Sequence, residues 1–589
     1  MQENIKVLLK KVIKSNYNID LTEITLETPP KKEFWDYAFW CFSLSKELKK
    51  NPIQIAIELV DLVRNNDYIE SISPNWPYLN IKLSKNIYTN LFNELYLNKD
   101  NLIWIKKSNN KTIVIDYIWP NVWKPLHIGH MCTPNQWQVL VNLYRKLGYS
   151  VIADTHIWDW WIIFGKLITA YKIWWDESKL KENAVDYLLE LYVKITEEIE
   201  KDENLEQRTR NEFKLLSGWN KESVELWKEF TSYSIKSVQV QLDRLNIKAD
   251  FNIWESFYEW LNFPKMENYP DLKYTMSDIV KELIEKWIAT KNDDNSVWVV
   301  FDDDINIPSC ILQKRDWTHW YLASDLAAIK YRMDNWMPDK IIYFTDSRQQ
   351  LHFKQAFNIS KNAWWINDTE LFHAFNWFIS LKEWAMSTRK WRIIRLDKLL
   401  DEAEQRAKNI ILEKRVDIVW VELDELSKII WIWAIKYWYL KKSRETDVIF
   451  DWDEFMTFEW NSWPYIQYAY VRAIRILEKY YSENNSISLK NNSEILKASF
   501  EFIEEVELIK LISNYNEILE KTSKFNMPHY MCSYAYDLTK AFNSFYNSVH
   551  ILSEVDENKK ILRLQLIELY SLVLKDSFEL LWIKMPDKM

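Results

Sequence analysis

A chain of 589 residues carries only four glycines against 34 tryptophans, and no other property limits its fold so severely. Glycine supplies left-handed turns, helix C-caps and close backbone approaches, which other residues supply only at a cost. At an ordinary usage of roughly 7%, a chain of this length would hold about 41 glycines. The glycines and tryptophans together come close to that expectation. The stretch HIWDWWIIFGK (156–166) poses the question locally, with three indoles in four positions. Either these form an aromatic platform for a base or sugar, or they stand where the working protein has glycine. A UGA codon read as glycine by the cell but translated as tryptophan produces the second pattern.

The rest of the composition is ordinary. Hydrophobic residues make up 48% and charged residues 27%, as in globular proteins generally. Several domains and a large buried core are expected at this length. There is no charged-then-apolar leader with a small-residue cleavage site, and no uninterrupted apolar run of about 18 residues, so neither a signal peptide nor a membrane span is expected. Cys41, Cys132, Cys310 and Cys532 stand far apart with no CxxC pair. That spacing points away from bound zinc or a disulfide framework and toward a reducing cytoplasm. The net charge of -9 does not advertise nucleic-acid binding. Such binding needs a local basic surface, however, not a basic total.

Hydrophobic spacing organises the chain. Residues 1–105 mix a helical pattern, KELKKNPIQIAIELVDLVRNN (46–66), with an alternating strand, YLNIKL (78–83), and SPNWP (73–77) reads as a turn. This predicts a small α+β domain. KTIVIDYI (111–118) reads as a buried strand, followed by the loop PNVWKPLHIGH (120–130). A helix then ends at Gly148, and SVIADTHI (150–157) is a second strand. Strand, loop, helix and strand in this order open a doubly wound, Rossmann-type α/β domain, whose ligands bind beyond the carboxyl ends of the strands. Residues 176–300 read as a charged helical insertion, and the α/β pattern resumes at WYLASDLAAIKYR (320–332) and DKIIYFT (339–345). From 464 onward the chain reads as an all-α bundle, with a polar loop at SENNSISLKNNSE (482–494).

Two motifs carry chemistry. In KPLHIGH, His127 and His130 flank Gly129 between a strand and a helix, with Lys124 just upstream. Imidazoles there can donate to phosphate oxygens, and the glycine lets a nucleotide lie against the backbone. Metal binding is the competing reading of two loop histidines. Far down the chain, LKEWAMSTRKWRIIRLDKLLDEA (381–403) places Arg389 and Lys390 beside Met386 and Ser387. Attack of a carboxylate on the α-phosphate of ATP needs positioning and cations around developing charge, which such a pair of segments supplies.

HIGH and MSTRK together resemble the paired signatures of class I aminoacyl-tRNA synthetases. IDYIWPNVWKPLHIGHM and HIWDWWIIFGKLI narrow the resemblance to the arginyl-tRNA synthetase family, whose second segment reads HxGDWGxxFGxLI. Trp158 and Trp161 then fall on family glycines, and Trp160 on a family tryptophan. The same coincidence recurs at Trp137, Trp254, Trp317, Trp384, Trp391, Trp460, Trp463 and Trp582. The resemblance covers the whole chain and implies four parts. These are a tRNA-contacting N-terminal additional domain (1–105), a Rossmann catalytic domain (106–400) with its insertion (176–300), a connecting helical segment (401–463) and an anticodon-binding domain (464–589).

By position, the resemblance implies that His127, Gly129, His130, Met386 and Ser387 hold ATP, and that Lys124, Arg389 and Lys390 neutralise phosphate charge. It assigns Asn121, Tyr321, Asp325 and Gln349 to arginine. A guanidinium is a planar fork of five donors, so a buried carboxylate should read it. Asp325 is the expected carboxylate, with a helix N-cap as its competing role. Tyr468, Tyr470 and Asn543 are candidates for stacking on or bonding to anticodon bases. The chain also departs from the family. Ala385 replaces the first lysine of the loop signature, YLASD replaces YxTRD, and Cys132 replaces an arginine after HIGH.

The implied substrates are ATP carrying Mg²⁺, L-arginine and tRNA(Arg), with activation that waits for bound tRNA. A monomer without membrane attachment is expected. Two rivals are a cysteinyl-type class I enzyme, disfavoured by the missing zinc-type cysteines, and a non-catalytic tRNA-binding homologue, favoured by Ala385 and YLASD. Peptide masses from the native protein are expected to show glycine at 137, 158, 161, 384 and 391. Protein made with literal indoles at all these positions is expected to be insoluble or inactive. A soluble, active literal version refutes the glycine reading.

Overall fold

The computed structural model describes residues 2–21, 24–27, 29, 35–64, 66–75, 77–118, 125–159, 162–259, 269–377, 379–381, 394–414, 420–451, 454, 463–483 and 500–585. The chain opens with helix α1 (Gln2–Tyr17). A sheet follows, formed by β1 (Leu26–Glu27), β2 (Tyr37–Trp40), β3 (Ile69–Asn75) and β4 (Tyr78–Leu83) in the antiparallel order β1-β2-β4-β3. The helical pattern at 46–66 forms two helices, α2 (Phe42–Leu48) and α3 (Pro52–Val63). Pro52 begins the second at the position where a missing N–H costs nothing, and the Asn51 side chain caps it by accepting from the Ile53 amide. Two further helices, α4 (Lys85–Leu97) and α5 (Lys99–Ile103), lead into the next layer.

That layer is a five-stranded, wholly parallel sheet of β5 (Thr112–Ile118), β6 (Ser150–Ile157), β7 (Ile253–Trp254), β11 (Lys340–Asp346) and β12 (Glu370–Asn376), in the order β12-β11-β5-β6-β7. Its central strands are β-branched and buried on both faces, as parallel strands require. Strand order reverses beside β5, so a crevice opens at its carboxyl end. Helix α6 (Cys132–Lys146) runs from that end back to β6. Gly148 follows it with φ +84°, and a Cβ there would run into the Lys107 carbonyl.

Between β6 and β7 come α7 (Ile162–Trp174), α8 (Glu177–Ile199), α9 (Glu203–Ser217) and α10 (Lys221–Arg244). Gly165 lets α7 approach α9 so closely that a Cβ would strike the Thr209 carbonyl. Thus β7, though inside the stretch 176–300, belongs to the main sheet. Helix α11 (Met276–Glu285) and the small sheet β8 (Thr290–Lys291), β9 (Val297–Val299) and β10 (Cys310–Gln313) precede α12 (Tyr321–Trp336). After β11 comes α13 (Gln350–Asn362), and after β12 come β13 (Ile379–Leu381), α14 (Leu396–Lys414), α15 (Trp420–Leu440) and β14 (Val448–Phe450).

The C-terminal part is helical among its described residues: α16 (Trp463–Glu483), α17 (Ile503–Ser513), α18 (Tyr515–Phe525), α19 (His529–Ser548) and α20 (Glu557–Leu580). It docks on α6 through polar contacts. The Tyr144 hydroxyl donates to Asn526 Oδ1 at 2.8 Å, and Lys146 Nζ meets Asp576 Oδ1 at 2.5 Å. No helix among the described residues is long and apolar enough to cross a membrane.

Backbone dihedrals bear directly on the tryptophans. Among the described residues, Trp219, Trp287, Trp317, Trp364 and Trp582 have φ between 58° and 68°. Asparagines share this left-handed region at six other positions, and Lys49 and Met337 at two more; short polar side chains tolerate it best, and a bulky residue adopts it at a cost. Trp219, Trp287, Trp364 and Trp582 each follow a helix and close it in one pattern. Their amides donate to Leu216, Ile284, Lys361 and Glu579, and the next amides donate to Leu215, Leu283, Ser360 and Phe578. This is the Schellman arrangement that glycine serves best, and Gly148 makes the same pair of bonds.

The adjacent Trp364 and Trp365 behave oppositely. Trp364 is left-handed and 85% exposed, whereas Trp365 is 8% exposed and its indole donates to Glu282 at 2.8 Å. Trp137 and Trp254 have ordinary φ, and Trp137 is buried with its indole donating to the Ile115 carbonyl at 2.8 Å. The described backbone therefore leaves those two positions undecided. Trp161, Trp384, Trp391 and Trp460 lie outside the described residues. Replacing Trp287 or Trp364 by glycine is expected to stabilise the protein by about 1–2 kcal/mol each, the cost of a left-handed bulky residue. Trp365→Gly is expected to destabilise it; thermal melting of the three variants checks the contrast.

Candidate active site

The loop after β5 delivers HIGH to the crevice. Ile128–Met131 form one 3-10 turn leading into α6, and the two histidines close it reciprocally. His127 Nδ1 accepts from the Gly129 amide at 3.1 Å, and His130 Nδ1 accepts from the His127 amide at 3.0 Å. The rings stack with centroids 3.7 Å apart. With both Nδ1 atoms acting as acceptors, any ring proton sits on Nε2. The pair therefore presents N–H donors, which suits phosphate oxygens.

The second signature ends beside the first. Residues 382–393 lie outside the described residues, and Met386, Ser387, Arg389 and Lys390 with them. The segment that follows pairs with the HIGH segment: the Ile128 amide donates to Ile394 at 3.0 Å, and the Leu396 amide to Leu126 at 2.8 Å. Arg395, opposite His127 in this bridge, is held by Asp397 and by Asp186 of α8. Asn121 and Lys124 also lie outside the described residues.

Tyr321 and Asp325 stand one turn apart on α12 and both meet His352 of α13, while Gln349, outside that contact, sits at the N-cap of α13. Asp325 is buried, and it sits inside α12 rather than at its N-cap, which is Trp320. That position rules out the capping role. Its Oδ2 lies 2.7 Å from His352 Nε2, and its Oδ1 lies 4.0 Å from His156 Nε2. Oδ1 has no hydrogen-bond partner among the described residues. Burial alone would raise this carboxyl, but the hydrogen bond and charge of His352 outweigh it and hold Asp325 below the usual range. Burial pushes His156 down to about 4, so that ring is neutral near pH 7. The Tyr321 ring lies 4.7 Å from His352, and Gln349 sits one turn before His352.

The sequence reading passed over His156, Glu255 and His352. Glu255, buried, accepts from the Ser324 hydroxyl at 2.7 Å. Its neighbour Ser256 is clamped by Asp159, whose Oδ2 accepts the hydroxyl at 2.6 Å and whose Oδ1 accepts the amide at 3.0 Å. The aspartate among the tryptophans of HIWDWWIIFGK thus braces the segment that carries Glu255. Helical spacing from Gln349 offered the one signal for His352; Ser324 of YLASD offered none for Glu255, because their contact spans distant segments. Cys132 is core: its thiol is buried and pushed up to about 12.

A buried ionic trio lies beneath. Asp116 of β5 and Asp154 of β6 stand opposite each other in the sheet register. Arg332 of α12 donates to Asp154 Oδ2 from Nε at 2.9 Å and from Nη2 at 2.7 Å, and Nη2 lies 3.0 Å from Asp116 Oδ2. Burial pushes Asp116 up to about 8 and raises Asp154 as well, in both cases against the pull of Arg332. Among the described residues no group of three or more His, Cys, Asp and Glu side chains is placed to hold a metal.

Comparisons with known proteins match the whole chain. The family described as "tRNA synthetases class I (R), catalytic domain" matches residues 93–452. "Arginyl tRNA synthetase N terminal domain" matches 1–83, and "DALR anticodon binding domain" matches 466–589. The chain belongs to the arginyl-tRNA synthetase family. It is 36% identical over 575 residues to the arginine–tRNA ligase of Clostridium botulinum, covering 97% of each chain. To that of Fusobacterium nucleatum it is 35% identical over 576 residues, covering 98% of this chain and 96% of that one. The fold matches arginyl-tRNA synthetase structures from Plasmodium falciparum (TM-score 0.79, 23% identity, covering 100% and 99%) and Thermus thermophilus (0.77, 20%, covering 100% of both).

Within this family fold, Arg332→Met is expected to destabilise the enzyme by about 3–5 kcal/mol, because it strands a buried carboxylate. Urea unfolding followed at the catalytic domain checks this, and a change below about 1 kcal/mol contradicts the trio's role.

Proposed function

We infer that the chain is an arginine–tRNA ligase. Arginine and ATP give arginyl-adenylate and pyrophosphate, and the arginyl group passes to the 3'-terminal adenosine of tRNA(Arg). The observation that carries this reading is a family match spanning nearly all of 589 residues, with the HIGH turn joined in the fold to the segment that ends the MSTRK loop.

Residue roles follow from chemistry. The Nε2 donors of His127 and His130 meet ATP phosphate oxygens, with Gly129 keeping the backbone thin, and Met386 and Ser387 complete the nucleotide site. Lys124 takes over from the lysine that Ala385 replaces, and with Arg389 and Lys390 it neutralises developing phosphate charge. Mg²⁺ arrives on ATP; no zinc is bound. Asp325 binds the guanidinium through its unpartnered Oδ1, while Asn121, Tyr321 and Gln349 complete the recognition of arginine. Glu255 adds a second carboxylate behind Ser324.

On the anticodon domain, exposed Tyr468 and half-buried Asn543, which accepts from Arg472 at 3.1 Å, suit contact with splayed bases. Tyr470 is buried and belongs to the core. We divide the chain at 105, 400 and 463; the stretch 176–300 is not one insertion, because β7 within it belongs to the main sheet, and α7 to α10 form the helical excursion between β6 and β7. We read the enzyme as a cytoplasmic monomer, in keeping with four free, buried cysteines.

We also propose that UGA encodes glycine in this gene. The five left-handed tryptophans support that reading, four of them at Schellman helix ends. They argue against stacking platforms, which have no use for a left-handed backbone.

Charging of tRNA(Arg) with radiolabelled arginine tests the activity. Asp325→Asn is expected to raise KM for arginine by about 100-fold with little change in KM for ATP, as loss of one partner in a buried charge pair does. ATP–pyrophosphate exchange is expected only with tRNA present. Full-rate exchange without tRNA overturns the coupled mechanism, and an absence of arginine charging overturns the assignment.

A further inference from the structure

We propose that His352 is the positioning residue for arginine selectivity: its Nε2–H fixes Oδ2 of Asp325 and so leaves Oδ1 for the substrate guanidinium. This rests on reading Asp325 as the guanidinium-binding group.

A buried carboxylate accepts hydrogen bonds and donates none, so the 2.7 Å contact requires the proton to sit on His352 Nε2. That single bond takes one oxygen and sets the rotamer. The other oxygen faces neutral His156 at 4.0 Å and has no hydrogen-bond partner among the described residues. A buried anion left half-satisfied invites a donor, and a guanidinium fork supplies several. The same imidazole lies against the Tyr321 ring, with centroids 4.7 Å apart. One side chain thus orients both pocket residues of α12.

The charged and titratable groups around this pair come from every neighbouring element. They are His156 on β6, Asp116 on β5, Tyr343 on β11, His373 on β12, Arg332 on α12 and Glu255 beyond β7. Arg332 is taken up by Asp154, and burial holds His156 and His373 neutral at pH 7. His352 therefore supplies the main opposition to the burial of Asp325. Without it the carboxyl takes up a proton at higher pH, and a neutral carboxyl no longer distinguishes charged arginine from citrulline, its uncharged near-isostere.

The test uses the full-length enzyme carrying the residues its own cell inserts. His352→Leu is expected to raise KM for arginine about 30-fold or more, with KM for ATP unchanged. The increase should grow as pH falls, because Asp325 then protonates within the assay range, whereas the unmodified enzyme keeps its carboxylate. Discrimination against citrulline should fall in parallel. His352→Gln keeps a donor and is expected to stay within about fivefold of the unmodified enzyme; it carries the test if the leucine variant does not fold. A pH-independent rise shared by the Leu and Gln variants marks plain packing and overturns the proposal. An unchanged KM in His352→Leu also overturns it, provided that Asp325→Asn raises KM. If Asp325→Asn has no effect either, the reading of Asp325 itself is at fault.

Discussion

The guanidinium of Arg332 fastens together the three elements on which the site is built. β5 leads to the HIGH turn, β6 carries His156 and is followed by Asp159, and α12 carries Tyr321 and Asp325. Arg332 ties the first two to the third inside the sheet, where water cannot compete. Buried ion pairs contribute little net stability compared with apolar packing, and their best-attested value is registry. Registry is what this cluster needs, because the HIGH turn, His156 and Asp325 come from three separate elements.

Above that anchor the polar groups are arranged in complementary senses. The two histidines spend their Nδ1 atoms on backbone amides and face outward as donors. Asp325 spends one oxygen on His352 and keeps the other as an acceptor. In the proposed reading, donors line the side that meets phosphate, and an acceptor lines the side that meets a cation. Both are set before any substrate arrives, which is the electrostatic preorganisation on which such a reaction depends.

Much of this was legible in the residues. SVIADTHI forms the strand Ser150–Ile157 because its buried, β-branched run admits little else. The switch-point loop was readable from the strand before it and the helix after it. The helical spacing at 46–66 resolves into two helices, because Pro52 starts the second at its first position. Asp325 looked like a cap because YLAS hides where the helix begins; the structure starts α12 four residues earlier. Glu255 was invisible because its partner Ser324 comes from a separate segment, and only helical spacing from Gln349 hinted at His352. Tyr470 looked exposed because an aromatic stripe does not say which side faces the bundle core. Asn121, Lys124 and the MSTRK residues lie outside the described residues, so their reading still rests on resemblance.

The helix ends closed by Trp219, Trp287, Trp364 and Trp582 have a consequence beyond this enzyme. Chirality allows a bare α-carbon to turn where a substituted one resists, so, on the proposed glycine reading, the torsion angles of a fold keep a record of which letters stood for glycine. Indoles gathered at left-handed stops, next to others buried by their own rings, would flag a reassigned codon in any mistranslated gene catalogue without reference to its nucleotides.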